Sequence, residues 1–499
     1  MVKWRHQIGA QLAKERTPMV KRAKNLLQDK PKEKIIKLPI SRFIDTKYRE
    51  YATYVLQSRG IPDFHDALTP VQRYILKSAP LSFVKSLTVV GRVIEQGYHH
   101  GDFSLGSALN RLARPFGNSL QLLDGYGFFG SEVSPEASAS RYTSVRLSSQ
   151  ANGIINRYSH LTTKEPDGPY DPLWMDVPIG LVIPIIGIAI GYKTTILPRK
   201  LDDIQKFLEG KIKTLKPYFT DFNGTIQKYK GMDKSWLVTS KMVTENNRIQ
   251  IREIPPIVKY SSLIKRLDTL YSRYESKIKV LNNSNTKVNI DIIYTGNSKE
   301  EFKEIGEFVY KIFSIIVSEN IVFIKDGQVL VYDRIEDYLE DYKWQVLRLR
   351  YRDCEHEFGV LNFDLTFNVA KEKFIEFILQ KKRNNQEITT FLKPYDKEIS
   401  EKLERMTSRK FTSDELAETK ALIKQLKMDL KEKEKELKEK KLLYENVEDP
   451  TLKRGISSRK NTVNLLDDVE DSKEDENGIT IWNGEDMTED EGEKETPEE

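Results

Sequence analysis

Between Ile335 and Arg383 the chain runs without a proline through residues rich in helix formers, and further on Leu416, Ile423, Leu430, Leu437 and Tyr444 recur every seven positions. A seven-residue apolar repeat keeps one stripe of a helix against a partner helix, and Thr412 with Glu415 spells the capping box that opens such a helix. The pattern predicts two long helices folded back on each other, an antiparallel coiled coil over residues 335–446, with a small globule at about Asn384–Phe411. The second seam weakens to Lys433 and Lys440, which leaves a charged single helix as the alternative for the second arm. A chain with such an arm must build the rest of its mass as separate cores. Its 499 residues, 38% of them hydrophobic, leave room for two to four.

Upstream, residues 1–40 read as a basic arm, with eleven Lys or Arg against three acids between Met1 and Lys37. From Leu68 three short helices are expected. In the first, Thr69 caps, Pro70 suits the first turn and Pro80 ends the run. The second is Val84–Gln96, closed by Gly97, and the third is Ser104–Arg114, closed by Pro115. A strand through Leu120–Leu123 and a Gly-rich turn at Asp124–Gly130 complete a winged-helix pattern over residues 41–155. Asn152–Pro172 reads as polar and connective. Strand-like runs at Arg248–Ile254 and Val288–Tyr294, mixed with helices, suggest an α/β domain over residues 156–334. The fold class is therefore α+β and multidomain.

Charge is segregated along the chain. Sixteen acids against two lysines lie between Asp467 and Glu499, so a net +5 conceals a body of +19. A body this basic points to nucleic acid, with solvated surface lysines as the alternative. Residues 447–499 are expected to form a disordered acidic tail, which either competes with DNA for the body or merely solubilises the chain. The run Val177–Tyr192 is broken by Pro178, Gly180, Pro184 and Gly187 and is too short to span a bilayer. With a lone cysteine, Cys354, and no apolar signal core after Met1, a soluble, cytoplasmic protein is expected.

Two spellings of chemistry fail on context. Gly125-Tyr-Gly127-Phe-Phe-Gly130 fits a dinucleotide fingerprint, but Pro135 interrupts the helix that should follow and no acid stands about twenty residues on. Six histidines and one cysteine, with no CxxC or HExxH, supply no metal cage, so no metal is assigned to this chain. A P-loop, an ATP lid and a Glu plus Asp-x-Asp magnesium set are not found either.

Four words occur in order: Arg59-Gly-Ile-Pro-Asp-Phe-His-Asp-Ala-Leu-Thr-Pro-Val-Gln-Arg73, Tyr98-His-His100-Gly-Asp102, Leu123-Asp-Gly-Tyr-Gly-Phe-Phe-Gly-Ser131 and Ala139-Ser-Arg141-Tyr142-Thr143. Gly187-Ile-Ala-Ile-Gly191, followed by Thr194 and Ile196 to Pro198, adds a fifth. As an ordered set they resemble the DNA-cleaving subunit of type IIA DNA topoisomerases, the gyrase A and topoisomerase IV relatives, and look most like the T-even phage branch. The resemblance covers about Phe43–Asn446.

It implies a winged-helix breakage-reunion domain, an α/β tower, and a coiled coil ending in a small C-gate. It also implies roles. Tyr142 attacks a DNA phosphodiester and stays joined to the 5′ phosphate, Arg141 and Arg59 stabilise the transition-state charge, and His100 assists by hydrogen bonding or proton transfer. Ile188 wedges between base pairs to bend DNA; Arg73 and Arg111, by their place on the expected helices, are candidates for phosphate contacts. A phenol ionises near pH ~10, so a tyrosine nucleophile depends on such cations or on a metal.

The implied partners are double-stranded DNA, a second copy of this chain, and a large subunit carrying the ATPase and Toprim domains, which would bring ATP and Mg²⁺. The implied activity is relaxation or decatenation by strand passage, in the cytoplasm of an infected bacterium if the source is a phage. The alternative is a non-catalytic DNA-binding scaffold with the same fold. Thr69 and Gln72, where bacterial relatives usually carry lysine and often histidine, keep it open.

Overall fold

The computed structural model describes residues 39–161, 172–230, 232–380, 384–406, 411–457 and 480–482. It has two units, residues 1–53 and 54–499. In the first, the described residues are helical from Ile40. The basic arm expected over residues 1–40 lies outside the described residues save for its last two.

The second unit opens with a π-helical turn, Leu56–Gly60. The helices α1 (Pro70–Ser78), α2 (Ser86–Glu95) and α3 (Asp102–Ala113) follow. Strands β1 (Val84–Lys85), β2 (Leu123–Tyr126) and β3 (Ser144–Leu147) form one sheet in the order β1-β3-β2. The expected helix start at Val84 is corrected, because Val84 pairs with Val145 and local periodicity carries no trace of so distant a partner. The expected turn at Asp124 is in part strand, since β2 continues through Gly125 to Tyr126, opposite Val145 and Ser144. Helix α4 (Ser149–Ile155), capped by the Ser148 hydroxyl accepting from Ala151 N–H at 3.2 Å, takes the start of the stretch read as connective.

The boundary expected at residue 155 is not a boundary of packing. Buried side chains from Phe64 to Ile155 share one core with Leu173–Leu215 and with Ile321–Val346. This core includes the hairpin of β4 (Ile185–Ala189) and β5 (Tyr192–Ile196) through Ile185 and Ile196. A second core, drawn chiefly from Phe219 to Val317, fills the α/β part. There β6 (Thr225–Lys228), β7 (Ser235–Thr239), β8 (Met242–Glu245), β9 (Arg248–Ile251), β10 (Ile278–Asn282), β11 (Ile290–Tyr294) and β12 (Ser314–Ser318) make two sheets. Helices α5 (Tyr260–Tyr274) and α6 (Lys299–Ile312) bury their apolar stripes in the same core.

Beyond the hairpin of β13 (Ile321–Lys325) and β14 (Gln328–Tyr332), helix α7 runs from Ile335 to Gln380. It is answered by α10 (Ser413–Glu445) after the short helices α8 (Asn385–Leu392) and α9 (Lys397–Glu404). The long pair is antiparallel: Lys371 meets Glu415, Lys420 meets Glu376, Lys433 meets Glu357, and Tyr444 stacks on Tyr351. Lys433, the weak seam residue, is held by both Glu357 and Glu436, which push its pKa up against its burial. A charged seam position is thus paired within the described helices. Buried Leu392, Ile399 and Leu403 close a small third core against Phe374.

The disordered tail expected over residues 447–499 is corrected at two places. Helix α11 (Thr451–Ser457) and the turn before it are tied to the body by Lys325 to Asp449 (2.5 Å) and to Thr451 (2.8 Å), and by Arg454 to Asp341 (2.5 Å). Strand β15 (Thr480–Trp482) adds to β12, giving a sheet in the order β15-β12-β7-β6. Among the described residues no helix is long and apolar enough to cross a membrane.

Candidate active site

Tyr142 sits in a turn just before β3, and the turn is pinned from three sides. Ser86 N–H donates to Thr143 O (3.1 Å), Leu87 N–H to Ser140 O (3.2 Å), and Tyr142 N–H to Ala139 O (2.8 Å). Thr143 itself is buried, its hydroxyl 2.7 Å from that of Ser86. Such anchoring fixes the backbone while leaving the phenol outside, and the Tyr142 side chain is 68% exposed. The Arg141 guanidinium carbon lies 5.4 Å from the Tyr142 ring centre, within the range of a cation–π contact.

A second cluster forms around His100. Arg59 Nη2 donates to His100 Nδ1 at 2.7 Å, and the Tyr54 hydroxyl lies 3.4 Å from His100 Nε2. An acceptor at Nδ1 requires a neutral ring with its proton on Nε2. The longer approach of Arg59 Nε to Nε2, at 3.4 Å, needs the other tautomer, and the shorter bond decides. Burial pushes the His100 pKa down, with Arg59 and then His99 adding to the effect. The Tyr98 ring stands edge-on to His100 at 5.0 Å.

Tyr54 was not evident in the sequence. It lies five residues before Arg59, a spacing that places the two on different faces of an α-helix. The π-turn Leu56–Gly60 alters that register, and both reach His100. Single π-turns are a recurrent device at functional sites.

The structure pairs Arg59 with His100 and Arg141 with Tyr142, and no hydrogen bond or ion pair joins the two pairs among the described residues. The β4–β5 hairpin carries Ile188, which is 54% exposed, opposite Lys193. Its Gly187 presses on the Arg59 turn so closely that a Cβ there would meet Gly60 O at 1.8 Å, and a Cβ on Gly60 would meet Ile188 O at 2.5 Å. Only glycine at both positions permits this approach, which places the Arg59 turn and the Ile188 hairpin in direct contact.

Arg73 is corrected. Only 4% exposed, it donates through Nε to Asp66 Oδ2 at 2.6 Å and through Nη2 to Asp66 Oδ1 at 3.0 Å. Asp66 also accepts from the backbone N–H groups of Leu68 and Leu173. Arg73 thus neutralises a fully buried carboxylate and does not face a ligand. Arg111 is half-buried on α3, beside Arg114, whose pKa is lowered to about 10 by burial first and by Arg111 second. Thr69 and Gln72 form a capping box at the start of α1, Gln72 Oε1 accepting from Thr69 N–H at 2.9 Å. Among the described residues no group of three or more His, Cys, Asp or Glu is placed to hold a metal ion.

A family model describing the A subunits of DNA gyrase and topoisomerase IV matches residues 59–450. The DNA topoisomerase medium subunit of Enterobacteria phage T4 is 30% identical over 341 residues, 61% of this chain and 72% of that protein. The A subunit of DNA topoisomerase 4 from Staphylococcus aureus is 29% identical over 336 residues, 58% of this chain and 41% of that protein. The A subunit of DNA gyrase from Helicobacter pylori is 34% identical over 188 residues, 34% of this chain and 22% of its own length. The chain therefore spans less than half of these two bacterial relatives. The fold is similar to that of the Plasmodium falciparum topoisomerase II DNA-binding, cleavage and re-ligation domain, with a TM-score of 0.65 at 20% identity over 89% of this chain and 68% of that one.

Proposed function

Because this chain belongs to the family of DNA gyrase and topoisomerase IV A subunits, we propose that it is the DNA-cleaving and rejoining subunit of a type IIA topoisomerase. The observation that carries the proposal is Tyr142: an exposed phenol on a pinned turn beside Arg141, in a fold that also assembles Arg59 with His100. The Tyr142 oxygen attacks a backbone phosphorus and gives up its proton. The 3′ oxygen of the cut strand leaves and takes one up, and the 5′ phosphate stays on the tyrosine. Resealing reverses each bond, so the exchange needs no outside energy.

Arg59 and Arg141 offset the charge of the crowded phosphorus, and a neutral His100 orients Arg59 through Nδ1. Two copies of the chain would cut the two strands. In this reading the C-gate is the small third core, the coiled coil is the α7–α10 pair, and the tower is the second core with its two sheets. ATP and Mg²⁺ would come with a partner subunit bearing ATPase and Toprim domains, and the outcome would be relaxation or decatenation, in a host cytoplasm if the source is a phage. The departures at Thr69 and Gln72 serve a helix cap, which leaves the non-catalytic scaffold without an observation in its favour.

The test is a denatured reaction containing end-labelled duplex, Mg²⁺ and the partner subunit. Label held covalently by this polypeptide supports the proposal, and its absence under conditions that allow strand passage removes it.

Two further outcomes follow from the geometry. Since the His100 pKa is depressed, cleavage should stay level as the pH falls through the ordinary imidazole value of about 6.5 and decline only below it, when protonation removes the acceptor for Arg59. A decline centred at or above that value, abolished by His100→Asn, would contradict the neutral ring. Ile188→Ala should lower cleavage on the order of tenfold while duplex affinity stays within about twofold, because the wedge acts only in the bent state. End-to-end distance by fluorescence transfer reads the bend, and an unchanged bend would return Ile188 to an ordinary surface residue.

A further inference from the structure

The acid-rich stretch from Asp467 to Glu499 contains one uncharged run, Asn477-Gly-Ile-Thr-Ile-Trp-Asn-Gly484, with seven acids before it and nine after it. Solubility alone gives no reason for β-branched and aromatic residues at that place. Such residues favour a strand, and Asn-Gly at each end favours a turn. The backbone of Thr480–Trp482 does pair as β15 along β12, parallel, with Ile315 opposite Thr480, Ile316 opposite Ile481 and Val317 opposite Trp482. It covers an edge of β12 that would otherwise present unpaired N–H and C=O groups.

We propose that this strand anchors the acidic run 485–499 so that the run competes with DNA for the surface around the Ile188 hairpin. The direction of pairing is what favours that surface. In a parallel pair the chain leaves β15 at the Ser318 end of β12. That end is stitched to the hairpin: Asn320 N–H donates to Thr195 O (2.9 Å), Thr195 N–H donates to Asn320 O (2.8 Å), and the Asn320 side chain donates to Lys193 O. Lys193 pairs across the hairpin with Ile188.

The path from Val317 to Ile188 is therefore on the order of 20 Å at ~3.3 Å per strand residue. A chain of the length of 483–499 spans at most roughly 55 Å at that rise, which is long enough for the distance to the hairpin. The run carries nine acids and one lysine, tethered to a body of +19, a polyanion placed where another polyanion is expected to bind.

Anchoring matters because effective concentration falls as about the −3/2 power of tether length. Held at Trp482, the acidic run starts about three residues from its anchor. Released, its nearest tie among the described residues is α11, almost thirty residues back, and a tether of that length lowers its local concentration on the order of twenty- to thirtyfold.

The inference rests on the proposed function, in which DNA lies on this hairpin. The experiment uses the full chain and Ile481→Pro, since proline removes an amide donor and is not accommodated in a paired strand. Hydrogen exchange of those β12 amides that face β15 should quicken at least tenfold, with the β12 amides bonded to β7 and those of β6 unchanged, and this readout involves no DNA. Affinity for a short duplex in low salt, read by fluorescence anisotropy, should rise about fivefold or more, and the gain should vanish in high salt. Replacing Glu485, Asp486, Glu489 and Asp490 by their amides should raise affinity similarly and leave the exchange unchanged.

Unaltered exchange in Ile481→Pro would overturn the anchor. Quickened exchange with superimposed binding curves would overturn the competition and leave a merely solubilising tail. Failure of every form to bind duplex would instead sink the proposed function, and this inference with it.

Discussion

Replacing Tyr142 by phenylalanine is expected to abolish covalent attachment of DNA, a loss exceeding about a thousandfold, while duplex affinity stays within about twofold. The effect is local. The substitution deletes one oxygen from a side chain that is 68% exposed, so no buried contact is lost. The turn that presents it is held by backbone bonds from Ser86 and Leu87 and by the Ser86–Thr143 hydroxyl pair, none of which involves the phenol. Arg141 keeps an aromatic face to lie against. Binding and folding should therefore survive while the nucleophile does not. The measurement is gel retention of end-labelled duplex after denaturation, beside anisotropy on uncut duplex. Undiminished label on the Phe variant would take the nucleophile's role from Tyr142, and a parallel loss of binding would mean that the phenol is part of the DNA surface itself.

A second large effect is expected at Arg73, of a kind different from what its place in the motif suggests. Arg73→Ala leaves Asp66, which is fully buried, without its cation. Breaking one side of a buried pair costs ~3–5 kcal/mol. The loss should be felt across the first core, because Asp66 also holds the backbone of Leu68 and Leu173, the latter 107 residues away in sequence. Thermal or denaturant unfolding should shift strongly, while the salt dependence of DNA binding in the folded fraction should not change. A phosphate-contacting arginine would behave in the opposite way, with stability intact and the salt slope reduced by about one. That second outcome would restore the reading from the motif.

The contrast between these two residues marks how far the sequence reading extends. Helix periodicity, capping and turn chemistry act over a few positions, so they are written where they operate. The α7–α10 pair follows from proline-free and seven-residue patterns, and α1 from Thr69 and Pro70. The ordered motifs placed Tyr142, Arg141, Arg59 and His100 in one family's chemistry, and the fold brings Arg59 to His100 and leaves Tyr142 exposed.

What no local pattern could indicate is which distant group each side chain meets. Arg73 and Arg111 are the same residue type on neighbouring helices, yet the first is enclosed by Asp66 and the second stays half-exposed. Val84 became a strand because Val145 lies beside it. The boundary expected at residue 155 vanished because segments 173–215 and 321–346 complete the same core. Tyr54 joined the site through a π-turn, and a tail read as disordered contributes a strand to β12. Sequence by itself determined the long helices, the caps and turns that are written locally, and the ordered motifs that point to the family. Tertiary structure alone decided burial and partnership, since desolvating a charge or completing a sheet edge depends on the residues that fold over it and not on those beside it in the chain.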